Sequence, residues 1–451
     1  MWVAGLNASC PLADPSPVEN ISDLKLNTQP QLTPRLQTID ADIRQSTQIL
    51  EDKFRDAGVV DDDPELTAYI NSLLTAEDLG VSQSGFHLNV KVLKMPDENA
   101  FACPSGTIYL NAGLFPLVQN ADELRFVLAH EAMHVLGKHA VFHDQSSRNQ
   151  TTFIKLLDIV ITPAASVMNI YTDFQYSSLI SGISQLTGTS AGLFYIASVQ
   201  GYGRAQEIEA DNFGCQVMYR LRKNTNAAVT FFTKFKEDQE KYEGKSFTHF
   251  ASSHEAPQDR VKRVAQFMPE AGRKPESFVE REFMEKTRRA RLDSAEINIK
   301  LGRVRHALDS LEQLTKLDLK DARIYYLLGE AYRRLSEDPD LLKSELIRKE
   351  WTKIIKPGDT KIKEEWLSQS QGFYQKSLEA DPQQAEASRG LAALCEQRGE
   401  WANAQQYYST YLQLRPGSTD QRYVKAKIKS MQDKLTAVTT ASENVPKEKK
   451  K

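Results

Sequence analysis

Residues 128–137 read LAHEAMHVLG, and this stretch limits the fold more than any other in the chain. His130 and His134 stand four apart, so on a helix they lie one turn apart on one face. Glu131 follows His130 directly. Leu124, Phe126, Val127 and Leu128 precede the pair, and Met133, Val135 and Leu136 follow it. A helix apolar on every side has to be buried. Two imidazoles and a carboxyl buried with it need partners, because unpaired polar groups are costly away from water. The ends are also written into the sequence. Asn120 with Glu123 three residues on forms a capping-box arrangement, and Gly137 marks the stop.

The histidine spacing suits one metal ion. Imidazoles at i and i+4 reach a single zinc at about 2.0–2.1 Å. Glu131 sits beside the metal rather than on it, where it can take a proton from the attacking water and pass it to the leaving amine. A catalytic zinc site has three protein ligands. The third is expected from RAQEIEADNFG, residues 204–214. Glu207 and Asp211 share a face, whereas Glu209 lies about 200° around from Glu207. Glu207 is therefore the expected ligand, and Asp211 the group that accepts a ring N–H from a ligating histidine. His139, five residues after His134, is turned off the metal face and reads as a supporting or surface residue. His254, in ASSHEAPQDRV, is a candidate fourth ligand or oxyanion stabiliser.

The rest of the chain organises around that helix. Its 451 residues suggest two or three folding units. Residues 1–35 are rich in Pro, Ser and Asn and read as a flexible N-terminus, or as the remnant of a secretory signal with Cys10 a lipid-bearing candidate. Helices are expected over Gln37–Phe54, Pro64–Ala76, Arg204–Arg220 and Arg260–Phe267. Phe86–Lys94 alternates like a strand. Phe101–Leu110 reads as two strand pieces broken at Pro104-Ser105-Gly106. Residues 151–203 suggest helices around the site, with a Gly/Ser/Thr-rich loop near 182–192. The first domain, residues 36–270, is expected to end there.

Residues 271–435 carry an internal repeat of about 34 residues. With starts at 288, 322 and 385, position 8 holds Ala295, Gly329 and Ala392, and position 20 holds Ala307, Ser370 and Ala404. Larger residues recur between them (Leu311, Tyr374, Tyr408), and prolines close the later units at Pro382 and Pro416. Small residues where paired helices touch, with a proline at the turn, are the tetratricopeptide pattern. The middle unit requires an insert near Glu337–Trp366. Residues 436–451 are expected to be a disordered basic tail.

Composition excludes several classes. A net charge of −3 gives no electrostatic reason to expect nucleic acid. No run reaches the ~18 apolar residues of a membrane span, so membrane association is expected to be peripheral at most. The four cysteines are widely spaced, which argues against a cysteine zinc site or a disulfide scaffold. A Cys103–Cys215 pair remains open at this level.

HEAMH, then EIEAD some 70 residues later, then SHEAPQDR, resembles the M48 metallopeptidases, and more narrowly their periplasmic, tetratricopeptide-bearing members of outer-membrane protein quality control. The resemblance covers roughly residues 40–420. It implies a mainly α fold with a small β-sheet, a gluzincin-type zincin domain followed by an α-solenoid of repeats. It implies one Zn2+ per chain held by His130, His134 and Glu207, with Glu131 and Asp211 catalytic and His254 capping the metal. This chain has Glu255 where the family motif has proline. Asn99–Gly106 resembles the family's substrate-pairing strand edge, mapping to Phe101, Ala102, Cys103 and Gly106. Two functions follow as expectations. One is an endopeptidase cleaving misfolded or unassembled polypeptides in the periplasm, with outer-membrane assembly machinery as a partner through the repeats. The other is a chaperone or adaptor with a latent protease site.

Overall fold

The computed structural model describes residues 30–81, 87–144, 202–242, 257–266, 279–317, 320–356 and 360–443. It divides into two compact units: Met1–Lys241 with Ser246–Ala290, and Tyr242–Lys245 with Arg291–Lys451. All but the last two residues of the expected helical stretch 151–203, the loop near 182–192, Cys10 and His254 lie outside the described residues.

The first unit begins with α1 (Pro34–Asp56) and α2 (Pro64–Leu73). Asp63 caps α2 by accepting from the Glu65 and Leu66 N–H groups, with Pro64 at the first position, where its missing N–H costs nothing. A three-stranded sheet follows: β1 (Asn89–Leu93), β2 (Ala100–Ala102) and β3 (Thr107–Asn111), in the order β1-β3-β2. Strand β1 runs parallel to β3, and β2 antiparallel to it. The fully buried run Thr107–Asn111 takes the centre, paired on both sides.

The motif helix is α3 (Ala121–Leu136), followed by α4 (His139–Asp144). Asn120 Oδ1 accepts from the Glu123 N–H at 3.0 Å, so the cap is where the sequence puts it. The Glu123 carboxylate is drawn one residue further back, to the Gln119 N–H at 2.8 Å, and also receives Thr230 Oγ1 and Lys234 Nζ. Helices α5 (Arg204–Arg220), α6 (Asn226–Lys241) and α7 (Pro257–Ala265) complete the surroundings of α3. Gly214 lets α5 approach it closely, since a Cβ there would come within 2.8 Å of the Phe126 ring.

The contact division falls at Ala290, beyond the boundary near 270 read from the sequence. Helix α8 (Arg281–Lys286) explains this. Glu280 accepts from the Ala121 N–H at 2.8 Å, and the Phe283 ring lies 6.4 Å from Tyr69. Both interactions tie the segment to the first unit.

The second unit is helical: α9 (Arg288–Lys300), α10 (Val304–Thr315), α11 (Ala322–Glu337), α12 (Arg348–Ile354), α13 (Thr360–Ala380), α14 (Ala385–Gln397), α15 (Trp401–Leu414) and α16 (Gln421–Glu443). Helix α11 pairs with α13 across the insert. The pairing uses the small residues of the repeat: Ser370 Oγ donates to Gly329 O at 2.7 Å, and Ser377 Oγ to Ala322 O at 2.7 Å. The Tyr374 ring fills the space that Gly329 and Gly390 leave bare. Helix α13 starts at Thr360, so its first turns are built from the last residues of the insert expected near Glu337–Trp366. Glu345 within it accepts the Arg305 and His306 N–H groups at 2.8 and 2.9 Å, capping α10. Cys103, Cys215 and Cys395 are buried free thiols, so the Cys103–Cys215 pair does not form. Among the described residues, no helix is long and apolar enough to cross a membrane.

Candidate metal centre

Helices α3 and α5 bring His130, His134 and Glu207 together, all buried. The two histidine Nε2 atoms are 3.1 Å apart. Glu207 Oε2 lies 3.6 Å from His130 Nε2, and its Oε1 lies 3.6 Å from His134 Nε2. A four-coordinate divalent metal with donors at about 2.0–2.2 Å needs them about 3.4 Å apart. The observed triangle brackets that separation, and two neutral imidazoles with one carboxylate are a donor set such an ion accepts. The residues therefore fit a metal.

Burial favours the metal-binding form of the histidine and works against that of the carboxylate. Burial, reinforced by the Arg260 guanidinium, pushes the His130 ring down to about 4, leaving it neutral with a lone pair to give. Burial pushes the Glu207 carboxyl up to about 7, against the pull of His130 and Arg260. Ionised Glu207 stands in the first turn of α5, where the helix N-terminus also favours its charge.

The surrounding layer is charged and buried. Asp211, one turn after Glu207, meets His130 Nδ1 at 3.0 Å. Burial raises its carboxyl, but Arg260 and the His130 ring together hold it well below the usual carboxylate range. Arg260 grips it with two donors, Nε at 3.1 Å and Nη2 at 2.5 Å, while Arg263 Nη2 adds a third at 2.6 Å. Arg260 also covers the Phe232 ring at 4.1 Å. Neither arginine stands out in the sequence. Their only signal is the i, i+3 pairing on α7, facing an acidic pair that needs countercharge. The sequence reading likewise passes over Tyr202, whose ring stacks on His134 with centroids 4.0 Å apart and 15° between planes. Its phenol is pushed well above its usual range by burial, with the Glu131 and Glu207 charges adding to it.

Glu131 points toward the sheet. The Ala102 N–H hydrogen-bonds to its carboxyl, which burial and then the Glu207 charge push well above the ordinary range. Strand β2 has β3 on one side only among the described residues. Cys103 N donates to Thr107 O at 2.7 Å and Asn111 N to Asn99 O at 2.9 Å, so residues 99, 101 and 103 face β3 and residues 100 and 102 face outward. Of the four residues expected at a substrate edge, Ala102 alone presents its backbone there. Phe101 and Cys103 turn inward, and Gly106 sits in the β2–β3 turn with φ 97°, its carbonyl accepting from Asn89 N.

A model of peptidase family M48 matches residues 60–267, a span that contains every residue of this cluster. The chain contains an M48 peptidase domain. A tetratricopeptide repeat model matches residues 292–340 and 369–419, either side of the insert. The beta-barrel assembly-enhancing protease of Escherichia coli K12 is 28% identical over 235 residues, 50% of this chain and 44% of that protein. The Yersinia pestis protein of the same name is 30% identical over 204 residues, 44% of this chain and 38% of its own length. The mitochondrial metalloendopeptidase OMA1 of Schizosaccharomyces pombe is 25% identical over 211 residues, 47% of this chain and 56% of its own. This chain thus spans about half or less of the length of these relatives.

Proposed function

We propose that the chain is a zinc-dependent endopeptidase acting on misfolded or unassembled polypeptides of the bacterial envelope, with its repeats recruiting substrate or an assembly partner. The observation that carries this reading is the convergence of His130, His134 and Glu207 beside an outward-facing strand amide that already holds Glu131. Under this reading the three residues hold Zn2+, which when bound supplies a Lewis acid for the scissile carbonyl and lowers the pKa of water. Glu131 takes the proton of the attacking water on its carboxylate and delivers it to the leaving nitrogen. Asp211, locked by Arg260 and Arg263, fixes the His130 ring. The outward-facing carbonyls of Ala100 and Ala102 are the backbone groups with which an extended substrate would pair, since their N–H groups donate to Asn99 Oδ1 and to Glu131. His254 is assigned to the metal's remaining position or to the oxyanion on sequence grounds alone. The envelope setting and the assembly partner rest on the names of the bacterial relatives.

Glu131→Gln tests the reading. The variant should retain one zinc per chain and lose at least a hundredfold in the rate of cleaving an unfolded protein substrate. Full proteolysis in this variant would refute the role of Glu131. Undiminished zinc in Glu207→Ala would refute the ligand set.

A further inference from the structure

We propose that His139 and Glu209 form a positioning chain that fixes the tautomer and ring orientation of His134 for metal binding. The inference rests on His134 being a ligand and says how one of the two ligating rings is held.

Five residues on a continuous helix would carry His139 about 140° away from His134. The helix is not continuous there. Helix α3 ends at Leu136, Gly137 closes it, and Lys138 adopts φ 55° before α4 starts at His139. That reversal folds the His139 ring back against His134. The left-handed conformation is unfavourable for a residue with a Cβ, by roughly 1 kcal/mol. Lys138 is anchored by its Nζ to both Asp40 carboxylate oxygens, at 3.0 and 3.2 Å. Gly137 serves the same end. A Cβ there would come within 2.5 Å of His139 Nε2, so the ring occupies the space where a side chain at 137 would stand. Gln206 Nε2 donates to the His139 carbonyl at 3.3 Å, adding a tether from α5.

The contacts define the protons. His134 Nε2 faces the metal cluster, so its proton sits on Nδ1, 2.8 Å from His139 Nδ1. His139 Nδ1 must then accept, which leaves its own proton on Nε2, 3.3 Å from Glu209 Oε2. Every ring nitrogen has one role, and the direction of donation runs from the ligand outward. Ligating histidines are commonly oriented by such partners, whose loss typically weakens metal binding 10- to 100-fold. The two ligands are held differently. His130 meets a carboxylate neutralised by two arginines, and His134 meets an imidazole that is itself backed by a carboxylate.

The test is zinc affinity of the chelator-stripped full chain, measured by competition with a chromophoric chelator, together with the visible absorption of the Co2+-substituted protein. His139→Ala should raise the zinc Kd 10- to 100-fold and change the Co2+ bands. His139→Asn, whose Oδ1 stands where Nδ1 stood, should recover most of the affinity. Glu209→Gln, on a partly exposed side chain, should weaken zinc several-fold without a folding defect, and Gly137→Ala should weaken it by displacing the ring. A purely structural His139 would lower the melting temperature of the metal-stripped chain and leave zinc affinity unmoved. The proposal is overturned by a zinc Kd in His139→Ala and Glu209→Gln within twofold of the parent, or by His139→Asn binding as weakly as His139→Ala. A parent chain that binds no zinc refutes the ligand reading instead.

Discussion

The Asp211–Arg260 pair should behave as one coupled unit in stability measurements. Both side chains are buried, and Arg260 donates twice to the carboxylate. Arg260→Met keeps an apolar stem over Phe232 but leaves Asp211 with only Arg263 and the His130 ring as charged or polar partners on those faces. Asp211→Asn leaves two guanidinium groups facing an amide. Removing one member of a buried ion pair costs about 3–5 kcal/mol, since the other charge is stranded. Removing both strands no charge of that pair, although Arg263 loses its carboxylate and Glu207 the Arg260 guanidinium at 3.7 Å, so the double variant should cost about 2–3 kcal/mol less than the sum of the singles. By calorimetry on the chelator-treated full chain, each single change should lower the affected transition by roughly 6–20 °C. Each should also weaken zinc, because the orientation of the His130 ring goes with the pair. Effects that add to within about 0.5 kcal/mol would show the two residues to be independent, and would refute the account of Asp211 as a carboxylate held ionised by Arg260.

Two further outcomes concern the repeat unit. Gly390→Ala puts a Cβ into the Tyr374 ring and Gly329→Ala brings one within 2.6 Å of it, so each should destabilise that unit by about 1–3 kcal/mol in urea unfolding. Tyr374→Leu combined with either glycine variant should recover part of the loss, and no recovery would exclude the ring as the cause. Glu345 should make the unit pH-sensitive. Burial raises its carboxyl to about 7 from an ordinary 4.5, against the pull of the His306 and Arg305 N–H groups. Between those values the folded chain keeps a proton that the unfolded chain has lost. The stability this group contributes is complete below pH 4.5 and disappears as pH rises through about 7. Glu345→Gln should remove that slope, a difference on the order of 3 kcal/mol in unfolding free energy between the two ends, and an unchanged slope would refute the assignment.

Some of this protein is determined locally. The α3 limits at Ala121 and Leu136 follow from Asn120 and Gly137, because caps act within one turn. The His130–His134 spacing dictates a shared face, since helical period depends on nothing outside the helix. Choosing Glu207 over Glu209 needed only that same period, and the repeat was legible in Gly329, Ser370 and Tyr374 because helix pairing imposes its own spacing on small and large residues. Other features are decided only when distant segments meet. Nothing in the chain's 57 Lys and Arg residues singles out Arg260 and Arg263 as the partners of Asp211 until α7 lies against α5. The orientation of β2, with Ala102 outward and Cys103 inward, depends on its register with β3. His139 is the sharpest case. Helical arithmetic turns it away from the metal, and the reversal at Lys138 brings it back to within 2.8 Å of the ligand. Sequence determines the spacing of groups along one element, whereas charge pairing and strand facing depend on the packing between elements.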